Sequence, residues 1–327
     1  MKKNLLKLFF SSIILLLISC SSDEIERTTF NDDVYVSGSK ANHASYWINN
    51  TFVSLTDAGF ATSSADTLIV RNNDVHILGS GNNGVGKTLY WKNNVLTNLT
   101  DAFSTPTEIA TISTMDIDSN NDVYFAGITQ NTNVSPNTYD LVYWKNGIKH
   151  IVDSFTSEPY HLIGLKVMNT TVYITNARES GGSVISGYYI NGTYFWGINA
   201  NAAEVYVYGR TNVDGFYKNI TNNTQTNLTT NLSVMIPTYE MCFDTGAVYA
   251  VNDLYVYKNG TVFYTLPSPT AAYTYSRIEN AKFKNNSAYI MTEDGDLNNT
   301  TFQKVFKDNV LLIQNNVDEQ FKCIYID

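Results

Sequence analysis

Short runs of apolar and aromatic residues alternate with polar ones along nearly the whole chain, and Asn-Asn and Asn-Gly pairs punctuate them. The pattern is plainest at Tyr143-Trp144-Lys145-Asn146-Gly147-Ile148, where an aromatic strand end runs into Asn-Gly and out into a second strand. A two-residue type I′ turn needs φ > 0 at both central positions, which Asn and Gly tolerate, so this stretch predicts a β-hairpin. The same frame returns at Tyr46-Trp47-Ile48-Asn49-Asn50, Tyr90-Trp91-Lys92-Asn93-Asn94, Tyr188-Tyr189-Ile190-Asn191-Gly192, Phe216-Tyr217-Lys218-Asn219, Val256-Tyr257-Lys258-Asn259-Gly260 and Val305-Phe306-Lys307-Asp308-Asn309. A second frame, typified by Asp33-Val34-Tyr35-Val36, Asp74-Val75-His76-Ile77 and Asp122-Val123-Tyr124-Phe125, precedes each copy. Two patterns kept in one order through seven rounds predict a repeat protein with a period of roughly 40 to 50 residues.

The clearest repeat, Ser113 to Asp153, holds four alternating runs separated by turn residues. Four short antiparallel strands per repeat describe the blade of a β-propeller, so the expected fold is all-β, a seven-bladed propeller of four-stranded antiparallel blades. The first repeat lacks a first strand, whereas the chain ends on a surplus one, Phe321 to Asp327. Pairing of the C-terminal strand with the N-terminal blade would close the ring and remove an exposed sheet edge. Between Asn191-Gly192 and Val205 there is room for only one strand. There, Phe195 to Asn199 is expected as the inner strand of blade five, with blade four lacking or truncating its outer strand.

The chain begins differently. Lys2 and Lys3 precede an apolar run, Leu5 to Ile18, too short to span a bilayer and ending in Leu17-Ile18-Ser19-Cys20. This resembles the lipobox of bacterial lipoproteins, in which cleavage precedes a cysteine that carries the lipid. The resemblance implies a signal peptide over 1–19, lipidation of Cys20, a tether over 20–29 and a single propeller domain over 30–327, held at the membrane by acyl chains. Ser21-Ser22-Asp23-Glu24 is similar to the acidic export signal of Bacteroidetes-type surface lipoproteins. Val-Tyr-x-x-Gly, Tyr-Trp-Lys-Asn-Gly and the endings Leu55-Thr56-Asp57 and Leu99-Thr100-Asp101 together resemble repeat-rich β-propeller lipoproteins of the same bacteria. That likeness implies an outer-membrane, lipid-anchored location, on the periplasmic side or the cell surface, and no particular activity.

Composition narrows the function. With 21 basic and 30 acidic residues the formal charge is −9, and a body that loses Lys2, Lys3 and Lys7 with its leader is more acidic still. An acidic chain without basic clusters argues against nucleic acid as a partner. Asp116, Asp118, Asn120 and Asp122 have calcium-loop spacing but lack the Gly and bidentate Glu of such loops, and read as turn chemistry. Cys242 and Cys323 fall on inner strands of blades too far apart for a disulfide and are expected as buried free thiols. The histidines at 43, 76, 150 and 161 show no metal spacing, and His76 is expected in the core. The repeated Trp, Tyr and Phe read as packing between blades. No catalytic residue, metal or cofactor is assigned.

Function is expected on the edge that carries the variable connections: Ser80 to Lys87, Ile128 to Asp140, Asn176 to Ser186 and the segments between blades. Tyr160, His161, Tyr273 and Tyr275 are the candidate ligand-binding residues there, aromatics suited to stacking on a sugar ring or anchoring a protein. The leading expectation is a non-catalytic, envelope-anchored protein that binds a glycan or a protein partner. The alternatives are a polysaccharide-active propeller enzyme, hydrolase or lyase, with carboxylates converging on the axis, and a structural subunit of an envelope complex.

Overall fold

A computed structural model describes residues 32–327 apart from 158–159, 169, 181–182, 191–192, 196–198, 201–204, 211–214, 220–223, 229–239, 271 and 299. The leader, Cys20 and the tether lie outside the described residues. No described helix is long and apolar enough to cross a membrane.

The described strands form seven four-stranded antiparallel sheets. Six of them are built from four consecutive strands. Sheet two runs Thr62–Arg71, Asp74–Asn82, Gly86–Lys92 and Val95–Asn98; sheet three spans Glu108–Ile117 to Ile148–Phe155; sheet four, Tyr160–Met168 to Thr193–Phe195; sheet five, Asn199–Ala200 to Thr224–Leu228. Sheet six spans Glu240–Asp244 to Thr261–Thr265, and sheet seven Tyr275–Lys284, Ser287–Gly295, Thr301–Lys307 and Val310–Gln314. Sheet one differs: its three N-terminal strands, beginning with Val34–Lys40, are completed by Glu319–Ile326 from the other end of the chain. That pairing runs from Val34↔Ile326 to Lys40↔Glu319.

Side chains lock the repeat's two sequence frames together. In the type I′ turns both central residues have positive φ, for instance Asn93 (49°) and Asn94 (66°). The first of them also reaches back to the sheet's second strand. Asn93 Oδ1 accepts from Val75 N at 2.8 Å while its Nδ2 donates to Asp74 Oδ1 at 2.6 Å. Asn146 does the same with Val123 (3.0 Å) and Asp122 (2.7 Å), and Asn49 with Val34 (2.9 Å) and Asp33 (2.6 Å). The preceding lysine adds an ion pair, Lys92 to Asp74 and Lys145 to Asp122, both 2.7 Å. Hence Asp-Val-Tyr and Trp-Lys-Asn recur as a pair.

The glycine of Val-Tyr-x-x-Gly answers a different demand. The inner strands bulge opposite it, between Ala65 and Thr67 and between Ile112 and Thr114. A Cβ on Gly79 would stand 1.9 Å from Ser64 O, and one on Gly127 2.0 Å from Thr111 O.

The core lies between sheets. Trp47, Trp91, Trp144, Tyr189 and Tyr257 are buried there, whereas Phe306 is half-buried. Trp91 Nε1 donates to Thr56 O at 2.5 Å, and Trp144 stacks on Phe103 at 4.8 Å. Phe103 belongs to a five-residue helix, Leu99–Phe103, capped by Asn98, where the sequence pattern showed only a repeat ending.

Three expectations need correction. Phe195 ends the outer strand of sheet four, Thr193–Phe195, and the inner strand of sheet five is Asn199–Ala200. Sheet four keeps a shortened outer strand because three residues suffice to pair Tyr188, Tyr189 and Ile190. The segments read as long loops are mostly strand: second and third strands extend to Asn82 and Gly86, to Asn131 and Thr138, and to Ser180 and Ser183. Backbone pairing continues there after the apolar alternation has faded. Finally, Cys242 is a buried free thiol as expected, but Cys323 is only half-buried.

Candidate functional site

Sheet seven carries the chemistry, and its strands place it on two opposite faces. Along Ser287–Gly295 successive side chains alternate, so Ile290, Thr292 and Asp294 face sheet six while Tyr289, Met291 and Glu293 face sheet one. The register sets Ser276 opposite Asp294 and Arg277 opposite Glu293.

On the side of sheet six, a cavity of about 360 Å³ opens near the variable edge. Its apolar lining includes Tyr264, Leu266, Pro267 and Phe306, and its polar lining includes Thr270, Ser276, Thr292, Asp294, Lys304 and Asn309, with Tyr273 among the lining residues. Three of these are fixed by internal pairing: Lys304 Nζ donates to Asp294 Oδ2 at 2.7 Å and Ser276 Oγ to Asp294 Oδ1 at 2.5 Å. Lys304 also lies 5.1 Å from the centre of the Tyr273 ring. Backbone bonds hold the loop that presents Tyr273: Tyr273 N donates to Thr270 O (2.9 Å) and Thr274 N to Gly295 O (2.7 Å).

On the side of sheet one, Glu293 gathers a charged cluster. Its Oε1 accepts from the Tyr275 hydroxyl and from Arg277 Nη2, both at 2.9 Å, while Oε2 takes Gln303 Nε2 at 3.4 Å. Arg277 Nε pairs with Glu279, the extra residue of the bulge between Ile278 and Asn280. Burial, helped by Glu293, raises the Glu279 carboxyl above its usual range against the pull of Arg277. Burial and the bond to Glu293 likewise push the Tyr275 hydroxyl up, so it stays a donor. The Tyr275 ring, 40% exposed, lies against Gly295, where a Cβ would come within 2.2 Å of it.

Tyr273 and Tyr275 share a sheet but serve opposite faces, and Tyr160 and His161 begin the inner strand of sheet four. The side chains of that last pair lie outside the described residues. Sequence reasoning missed Lys304, Asp294, Glu293 and Arg277; the one signal was the adjacent acidic pair Glu293-Asp294, where the second and third repeats carry Ser80-Gly81 and Ile128-Thr129.

The remaining candidates resolve into structure. Asp118 Oδ1 accepts from Asn120 N (2.8 Å) and Asp122 N (3.0 Å), which is turn bonding. Asp116 accepts from Val167 N at 2.7 Å and so ties sheet three to sheet four. His43 pairs with Asp57 and His150 stacks on Tyr143. Among the described residues no group of His, Cys, Asp or Glu is placed to hold a metal ion.

No family model matches the chain, and no curated protein matches its sequence. Solved structures do resemble it. An acylaminoacyl peptidase of Pyrococcus horikoshii superposes with TM-score 0.51 at 8% identity, over 90% of this chain and 50% of that one. The chain thus spans half the length of the peptidase it matches. The fold is a β-propeller. A six-bladed propeller lectin of Aleuria aurantia, described as recognising fucose, matches over 87% of this chain and 95% of its own at TM-score 0.35 and 8% identity. The extracellular domain of a one-component system of B. thetaiotaomicron covers 88% of this propeller and 60% of that chain, at TM-score 0.31 and 10% identity. At such identities the likeness concerns the fold alone.

Proposed function

We propose that the seven sheets are the blades of one closed ring, anchored by a lipid on Cys20 to the outer membrane of the cell envelope, and that the ring binds a glycan without acting on it. Contacts between first strands support the ring: Glu319–Ile326 packs on Thr62–Arg71 of sheet two and on Tyr275–Lys284 of sheet seven, which in turn meets Glu240–Asp244 of sheet six. The same neighbouring links sheets two, three, four and five in order.

The observation that carries the binding reading is the cavity between sheets six and seven. It offers an aromatic ring at Tyr273 and hydrogen-bonding groups, three of them already held in place by one another, which suits a ligand with one apolar face and several hydroxyls. Ser276, Asp294 and Lys304 satisfy each other, so they can orient a ligand without giving or taking a proton. Glycan-array binding should fall at least tenfold in Tyr273→Ala, and Cys20→Ala should abolish lipid labelling and release the protein from membranes. Unchanged array binding in Tyr273→Ala would remove this cavity from the proposal.

A second reading has one observation in its favour. Glu279, with its raised carboxyl, and Glu293 flank Arg277 beside the Tyr275 hydroxyl, as a polysaccharide-active site would require of a proton donor and its partner. Release of reducing ends from a polysaccharide, lost in Glu279→Gln, would establish it. Binding is the favoured reading because each of these groups is engaged by another: Arg277 bridges both carboxylates.

A further inference from the structure

The polypeptide joins the propeller at a defined edge. Strand direction alternates within each sheet, so the tight turns between first and second and between third and fourth strands share one edge, opposite the variable connections. Asp32, the first described residue, pairs with Lys284 (3.2 Å) and Lys307 (3.7 Å), each of which immediately precedes a tight turn of sheet seven. Asp33 Oδ1 accepts from Asn49 Nδ2, in the tight turn of sheet one, at 2.6 Å. The chain before Asp32 therefore meets the sheets at the tight-turn edge.

Around that entry the outer strands start apolar. The first residue after the turn is Val95 in sheet two, Ile148 in sheet three and Val310 in sheet seven, exposed by 69%, 67% and 51%. At the second position Leu311 of sheet seven, Val262 of sheet six and Phe52 of sheet one are exposed as well. Sheets six, seven, one, two and three are consecutive neighbours through their first strands, and the entry lies in the middle one. Sheets four and five start their outer strands on Thr193 and Thr224. Apolar side chains on an outer strand are a liability in water, which proteins commonly blunt with charge. The variable edge also exposes aliphatics, Val85, Val134, Leu297 and Val317. Apolar exposure alone thus chooses no face; the point of entry does.

Reach and charge identify what covers these residues. Residues 20–31 span roughly 40 Å at full stretch, whereas the ten-residue strand Thr62–Arg71 runs about 33 Å from edge to edge. A lipid on Cys20 would hold the tight-turn edge near a bilayer with slack to spare, and would bring the variable edge there only with that segment drawn straight along a whole sheet. The lysines before the turns of sheets two, three and seven are already paired, Lys92 with Asp74, Lys145 with Asp122 and Lys307 with Asp32. They leave anionic headgroups little to hold, so the matching surface is zwitterionic lipid, entered at the headgroup boundary by aliphatic side chains. We propose, resting on the Cys20 anchor of the preceding section, that the tight-turn edge of these five sheets is a membrane-contact face and that the variable edge is turned away from the lipid.

Hydrogen exchange read by mass spectrometry tests this on the lipid-bearing protein, recovered from bacterial membranes and bound to phosphatidylcholine vesicles, against Cys20→Ala in solution. On vesicles the amides of Val95–Asn98, Ile148–Phe155 and Val310–Gln314 should exchange about threefold more slowly or better, and those of 80–87 and 131–138 should not change. The triple variant Val95→Asp, Ile148→Asp, Val310→Asp alters exposed positions only, so it should melt with its parent and stay on the vesicles through its lipid while the slowing disappears. Val85→Asp with Val134→Asp should leave the slowing intact. A Cys20 without acyl mass would sink the anchor and this inference with it. With the lipid present, unslowed turn-edge amides, slowing at 80–87 and 131–138 instead, or slowing that outlasts the triple variant would sink the contact face and leave the anchor standing.

Discussion

His76 stands where most repeats carry tyrosine, and burial makes it the residue through which mild acid acts on the fold. It is 2% exposed, its Nδ1 lies 2.6 Å from the Tyr90 hydroxyl, and burial first, then Lys92, lowers its pKa to about 4. In the unfolded chain the ring titrates near 6.5, so between about 6.5 and 4 the unfolded state binds a proton that the folded state refuses. Stability should be level above about pH 7, fall as pH drops through that window, and lose about 3 kcal/mol at most from this group. Burial tends to raise the carboxyls of Asp32 and Asp57, yet the bonds from Tyr289 and Lys284 to the first, and from Gly59 N–H and His43 to the second, hold both below the usual range. Their contribution is lost only at lower pH. Melting curves of wild type and His76→Gln between pH 7.5 and 4.5 check this: the variant should be the flatter of the two, and parallel curves would refute the assignment. At Gly79 the same scale predicts that Ala costs about 2 kcal/mol or more in urea unfolding, because the contact with Ser64 O is to backbone and one strand must move.

At the scale of the hairpin, the Asn clasp explains why turn and strand frames keep step. Asn146→Gly preserves the positive φ but removes the bonds to Val123 N and Asp122, both solvent-exposed, and should cost about 1 kcal/mol. Asn146→Asp combined with Asp122→Ser should recover part of that, since Asp308 already plays the role in sheet seven, where Ser287 stands in the aspartate's place, by accepting from Ala288 N at 2.8 Å. Equal losses in the two variants would show that turn conformation, not the clasp, sets the cost. The hairpins were legible because Asn-Gly states its own geometry. The clasp was not, since it joins residues 23 apart whose chemistry is unremarkable singly. Leu99–Phe103 escaped notice because five residues carry no helical period, and Phe195 was misassigned because a three-residue strand carries no alternation. The candidate site was half legible for a related reason. Tyr273 and Tyr275 announce themselves as aromatics in a loop and at a strand start, while Lys304 and Glu293 join them only through strand register.

For the molecule as a whole, the decisive junction is where sheet seven meets the strand that completes sheet one. Gln303 treats that strand as a partner backbone: its Oε1 accepts from Phe321 N at 2.6 Å and its Nε2 donates to Phe321 O at 2.9 Å. Asn315 fixes Gln303 by accepting from its N–H at 2.7 Å and donates to Glu319 O at 2.8 Å. Farther along, Asp32 of sheet one takes the Tyr289 hydroxyl (2.8 Å) and pairs with Lys284 (3.2 Å). On its other side the closing strand reaches sheet two, through Tyr325 OH to Val70 O at 2.8 Å. If these contacts close a ring, every sheet has two neighbours and damage at the junction is felt everywhere. Gln303→Ala leaves a buried N–H and carbonyl unpaired and should cost about 2 to 4 kcal/mol, seen as one sharp transition at lower temperature. Deleting Phe321 to Asp327 removes an inner strand together with the packing of Phe321 on Trp47, whose rings lie 4.9 Å apart. Hydrogen exchange on that truncated chain should show protection lost in sheets three and six, remote from the cut, as well as in sheets seven, one and two. Protection kept in the remote sheets would mean that they fold as independent neighbours along an open array, since only a closed circuit transmits the loss of one strand to all of them.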